Sequence, residues 1–91
     1  MASVAQWFKV DEEHVVRMVR ATCERLGSAE GEVVLDFSSV RRIDPGGLQA
    51  MEELAAVADE KAVKVGLRGV NVNVYKVLKL ARLTPRFSFV N

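Results

Sequence analysis

Cysteine and histidine each occur once, as Cys23 and His14. A lone thiol excludes an internal disulfide and fits a reducing compartment. Both residues fall in one helical segment, nine positions apart. They therefore project from different sides of it and form no Cys–His nucleophile pair within that element. Metal sites need three or four clustered ligands, and this spacing supplies no such cluster, so no metal site is expected. Asp36 and Asp44 have no general-acid partner in the sequence. The catalytic set is empty, and the expectation is a non-enzyme that uses no cofactor. No apolar run approaches the ~20 residues of a membrane span, and the N-terminus lacks the basic-then-apolar layout of a secretory signal. A cytoplasmic chain without membrane insertion is expected.

Acidic residues also run out. All twelve lie between Asp11 and Glu60, against six basic residues over positions 1–60. From Lys61 onward there are seven basic residues and no acidic one. Ninety-one residues make one domain, 1–91, so both halves pack together and an acidic side and a basic side are expected. Such polarity favours oriented docking to a charged partner. Lys64, Arg68, Lys76, Lys79 and Arg82 read as a solvated face, not a nucleic-acid site. Only Tyr75 offers interleaved stacking, and the net charge is only +1.

What is present is a regular alternation of strands and helices. Residues 3–10 read as a first strand, rich in β-formers. Asp11 reads as the N-cap of a first helix, with Glu12 and Glu13 in its first turn and Gly27 as its C-cap. Val15, Val19, Thr22 and Leu26 recur on one face of that helix, and Cys23 sits beside them as a small core residue. Val33, Val34, Leu35 and Phe37 make a buried strand. A second helix over 45–60 buries Leu48, Met51, Leu54, Ala55 and Ala58; Gly46, Ala50 and Val57 lie along the edge of that stripe. Val63, Val65 and Leu67 alternate as a third strand. Asn71 or Asn73 caps a third helix with Val74, Val77, Leu78 and Ala81 inward. Pro85 ends helical structure, and an edge strand follows. The order β-α-β-α-β-α-β predicts an α/β fold, a small mostly parallel sheet of four to five strands with crossover helices. One strand or two before the first helix are both compatible with the sequence, and so is a weak strand-mediated homodimer.

The most informative segment is Leu35–Leu48, L-D-F-S-S-V-R-R-I-D-P-G-G-L. It reads as a strand end, a loop, and a helix that starts with a capping aspartate, a proline at the first helical position, and two glycines. Such a helix start is bare, and something can dock on it. P-G-G is not the phosphate-binding pattern G-x-x-x-x-G-K-[ST], so nucleotide binding there is disfavoured.

The segment resembles the STAS domain, the family of anti-sigma factor antagonists and of the cytoplasmic domains of sulfate transporters. Leu35, Asp36, Ser38, Val40, Ile43, Asp44, Gly47 and Leu48 stand at matching positions of its pattern, and the resemblance extends to the C-terminus. It implies a protein-binding regulatory module. The implied partner is an anti-sigma factor or serine kinase, with transcription regulation as the outcome. One alternative is an accessory subunit of a lipid-transporting ABC system, where the same helix contacts the ATPase; another is a scaffold in a larger STAS assembly. The position phosphorylated in antagonists is Gly46 here, preceded by Pro45, so no phosphorylation is expected there. The expected docking set is Ser39, Asp44, Pro45, Gly46, Gly47, Gln49, Ala50 and Glu53.

Overall fold

The computed structural model describes residues 6–26 and 31–90. Four strands, β1 (Gln6–Lys9), β2 (Glu32–Asp36), β3 (Lys64–Arg68) and β4 (Ser88–Val90), form one sheet in the order β1-β2-β3-β4. Every pair is parallel. The helices α1 (Val15–Arg25), α2 (Pro45–Lys61) and α3 (Val72–Leu80) are the crossovers. Parallel crossovers are right-handed, so sequential strand order puts all three helices on one face. The expected α/β architecture is the one observed, with four strands, all parallel. One strand precedes α1 among the described residues; positions 3–5 of the expected first strand, and the expected C-cap Gly27, lie outside them.

The register sorts each strand into two faces. Phe8, Leu35, Leu67 and Phe89 share a row, as do Val33 and Val65. These rows meet the helices: Val33, Leu35, Val65 and Leu67 are buried together with Met51, Leu54 and Ala55 of α2 and Val74 and Leu78 of α3. The opposite face carries Trp7, Val34, Gly66 and Ser88 in one row and Lys9, Asp36, Arg68 and Val90 in the next. No helix among the described residues covers that face, yet Val34 and Gly66 are buried on it. A Cβ at Gly66 would lie 3.2 Å from Val90 and 3.5 Å from Val34, and the Arg68 guanidinium lies over the Trp7 ring at 5.4 Å. The half-buried alternation expected of β3 therefore gives way to three consecutive buried residues, Val65–Leu67.

Two helix starts follow the expected chemistry and one does not. Asn71 accepts from Val74 N–H at 2.8 Å and caps α3. Asp44 does the same for α2. Asp11 caps no α-helix: a 3-10 turn, Glu12–His14, intervenes, and the Asp11 carboxylate instead meets His14 Nδ1 at 3.3 Å. The four positions from Asp11 to His14 are acidic or imidazole and none is buried, so Val15 is the first side chain of this segment to reach the core. At the other end α2 stops on Ala62, which takes a left-handed conformation (φ 57°) and donates to Ala58 O and Asp59 O.

Candidate functional site

The loop between β2 and α2 is held from both sides. Asp36 Oδ1 accepts from Ser38 N–H at 2.9 Å, which folds the chain sharply off the strand end. Gly69, just after β3, packs against that turn. Its φ is +72° and a Cβ there would lie 2.9 Å from Ser38 Cα, so both conformation and space require glycine. Val40 and Ile43 drop into the core and anchor the loop, while Arg41 and Arg42 between them stay exposed. Glu12 Oε1, ahead of α1, accepts from Arg41 N–H at 2.8 Å. Across the loop, the Asn71 amide donates to Arg41 O at 2.9 Å and to Val40 O at 3.3 Å. The loop is thus fastened before α2 begins.

At its end Asp44 Oδ1 accepts from Gly47 N–H at 2.7 Å, and Asp44 O accepts from Leu48 N–H at 2.9 Å. Asp44, Pro45 and Gly46 are exposed, as are Ser39, Gln49 and Glu53. Gly46 is not a steric requirement: a Cβ there would sit 3.5 Å from Asp44 Oδ1 and 3.7 Å from Val16 Cγ2, ordinary contact distances. A Cβ has room where this chain has glycine. Gly47 is different, because its Cβ would lie 2.8 Å from Ile43 Cγ1 and 3.4 Å from Val15 Cγ1.

Two residues of the expected docking set are therefore corrected. Gly47 and Ala50 are buried. Gly47 lets α2 close on Ile43 and Val15, and Ala50 lies in the core cluster. Both act through packing. Glu53 is exposed but faces α1, where Arg20 Nε lies 3.7 Å from its Oε1. Ser39 sits on the turn, separated from the helix start by the anchored Val40 and Ile43.

Sequence reading missed the neighbouring element. A groove of about 450 Å³ runs between the start of α1 and the start of α2, lined by Glu12, His14, Val16, Arg17, Arg42 and Asp44. It brings Arg17, Arg20 and Arg42 together with Glu12, Glu13 and Asp44 next to Pro45–Gly46. Arg17 belongs to α1. No local signal connects it to Asp44, because the link is the packing of α1 along α2.

A second hollow of about 550 Å³ lies at the C-terminal ends of β2, β3 and β4, lined by Asp36, Ser38, Arg68, Tyr75 and Phe89. The Ser38 backbone N–H and hydroxyl hold the Asp36 carboxyl below the usual carboxylate range, with Arg68 and Lys9 adding to the effect. Asp36 is thus a fixed anion engaged by its own turn. Burial, with Glu53 and Glu24 nearby, pushes the Cys23 thiol up, the reverse of an activated nucleophile. Among the described residues no group of three or more His, Cys, Asp or Glu side chains is placed to hold a metal ion. The start of α2 is a bare, exposed, mixed-charge edge on a loop fastened from both sides.

Residues 9–87 match a family model described as the MlaB, STAS domain. The chain belongs to the STAS domain family. Among curated proteins, this STAS chain is 38% identical over 56 residues to the intermembrane phospholipid transport system binding protein MlaB of Escherichia coli, a segment that is 62% of this chain and 58% of the relative. The Shigella flexneri protein of the same name matches equally. The aligned segment thus spans under two thirds of the relatives' length. Among solved structures, a putative anti-sigma factor antagonist from Thermotoga maritima superposes with a TM-score of 0.72 at 17% identity, covering 97% of this chain and 75% of that one. At that identity the likeness concerns the STAS fold.

Proposed function

We propose that this STAS domain is a non-enzymatic binding subunit of a phospholipid transport system, docking on the system's ATP-binding-cassette subunit through the start of α2. The observation that carries the reading is the 38% identity to a phospholipid transport binding protein. The geometry supports it. Asp44, Pro45, Gly46 and Gln49 form an exposed edge beside the Arg17–Arg42 groove, and the loop beneath them is fastened by Glu12 and Asn71. A preorganised edge loses little entropy on association.

Regulation by phosphorylation at the usual position is absent from this reading. Gly46 offers no hydroxyl, although the space there would hold a Cβ. Constitutive binding suits a transporter subunit. The anti-sigma antagonist reading leans on likeness of fold, and one fold serves many functions; it is the alternative that the experiment must separate.

Affinity capture from the native cell lysate decides between them, comparing the wild-type chain with Gly46→Arg. The bulky cation sits on an exposed position and blocks the helix start without entering the core. Recovery of a transporter ATPase by the wild type and its loss in the variant is the expected result. Recovery of a serine-kinase-like anti-sigma factor would move the protein to the antagonist class. Identical captures for both baits would remove the α2 start as the docking site.

A further inference from the structure

Four of the five exposed large apolar side chains among the described residues lie on one side of this molecule, Trp7 being the exception. Val72 is 66% exposed, Tyr75 41%, Leu80 86% and Phe89 39%. Three of them lie on α3 and the fourth on the adjacent edge strand β4. At helical spacing the outer arc of α3 runs Tyr75, Lys79, Val72, Lys76, Leu80, an alternation of apolar and cationic side chains. Tyr75 and Phe89 meet edge to face, with centroids 5.3 Å apart and planes at 64°, so one flank is a fixed aromatic pair. The left-handed turn after the helix adds Arg82, also exposed. Among the described residues, Lys76, Lys79 and Arg82 have no ion-pair partner, and the chain has no acidic residue beyond Glu60.

We infer that the outer face of α3, continued by Phe89, docks on the surface of an anionic phospholipid bilayer. Charge complementarity fixes the sign of the partner. The arrangement of the face selects among anionic partners. Lysine is depleted from the cores of protein–protein interfaces, and here Lys76 and Lys79 occupy the middle of the arc with apolar groups on both sides. A nucleic-acid backbone would use the cations and leave Val72 and Leu80 without a role. A bilayer surface uses both. Lysine stems lie along the headgroup layer with their ammonium groups on lipid phosphates, while Val72, Leu80 and the aromatic pair reach the acyl boundary. The surface is peripheral, since no helix among the described residues is long and apolar enough to cross a membrane. This inference does not depend on the proposed ATPase contact, because α3 and the start of α2 are separate surfaces.

Co-sedimentation with vesicles tests it, using phosphatidylglycerol mixed equally with phosphatidylcholine against phosphatidylcholine alone. The wild-type chain is expected to bind the anionic vesicles selectively, less so as salt is raised. Reversing two charges in Lys76→Glu/Lys79→Glu should lower partitioning about tenfold or more. Val72→Ser/Leu80→Ser should lower it by several-fold. All four positions are exposed, so both variants should melt like the wild type; should one fail to fold, the other carries the test. Trp7 lies on the far edge strand and the opposite sheet face, so brominated lipid should leave its emission unquenched. Equal binding to both vesicle types would overturn the proposal, as would wild-type partitioning by both variants, strong quenching of Trp7, or binding to duplex DNA in place of vesicles.

Discussion

The starts of α2 and α3 are built alike and used differently. Each follows a strand at the same end of the sheet, and each opens on a short polar side chain that accepts from the backbone N–H three residues on: Asp44 from Gly47 at 2.7 Å, Asn71 from Val74 at 2.8 Å. The difference is in the remaining atoms. The amide of Asn71 also donates to Arg41 O and Val40 O, so its cap doubles as a staple across the β2–α2 loop. Asp44 has no amide to donate, and it stands exposed beside Pro45 and Gly46. One start is consumed by the fold; the other is held rigid by it and left open. A capping residue is therefore not evidence of function until its second set of atoms has been followed.

Breaking the staple should have the largest effect. Asn71→Ala removes a cap worth about 1 kcal/mol and two further hydrogen bonds at about 1 kcal/mol each. A loss of roughly 2–3 kcal/mol is expected in urea melts, and capture through the α2 start should weaken because the loop beneath it is released. Asn71→Asp keeps the cap but not the staple, and should fall between. Next is Gly47→Ala, whose Cβ would lie 2.8 Å from Ile43 Cγ1. Overpacking of this kind costs about 1–3 kcal/mol, read as a lower midpoint of unfolding. A variant as stable as wild type would mean that Ile43 yields freely and that the glycine serves something other than packing.

Asp44→Ala should cost only about 1 kcal/mol of stability, yet reduce partner capture more than Asn71→Asp does at equal stability. If the two substitutions affect capture in proportion to stability alone, the open start is only a cap. Gly46→Ala sharpens the same point from the other direction. The position has room for a Cβ, and replacing a helical glycine is worth up to about 0.5–1 kcal/mol, so a slight rise in stability is expected with binding retained, whereas Gly46→Arg should lose binding with stability retained.

These contrasts also mark what could be read from the chain itself. The parallel α/β order was legible because each element has its own period and its own punctuation, Asp44–Pro45 and Asn71 among them. The α2 start was legible because capping is a local interaction among residues 44 to 47. The burial of Ala50 and Gly47 was not legible, for the opposite reason. Whether the edge of a helical stripe faces solvent depends on a neighbour, here α1 with Val15, which the helix's own period does not specify. The Arg17–Arg42 groove was invisible on the same ground. Asp11 failed as an α-helix cap because an intervening 3-10 turn puts Val15 at the core, a choice set by packing and not by the capping preference of aspartate.

Asp36 is a further acceptor at this end of the sheet and separates fold from site by pH. Its carboxyl is held low chiefly by the Ser38 N–H, at 2.9 Å. A group whose folded pKa is depressed adds stability above its unfolded value and loses it as pH falls through the folded one. Asp36→Asn should therefore be slightly less stable than wild type at neutral pH, by less than about 1 kcal/mol for a partly solvated carboxylate. The gap should close below about pH 4, where the unfolded carboxyl titrates. Thermal melts of both proteins across that range give the answer. Because Ser38 leads the loop that ends at Asp44, the same substitution should leave binding at neutral pH intact, since Glu12 and Asn71 hold the loop from the far side. A binding loss without a stability loss would instead place Asp36 in the docking edge, and would show that the open start of α2 extends back to the end of β2.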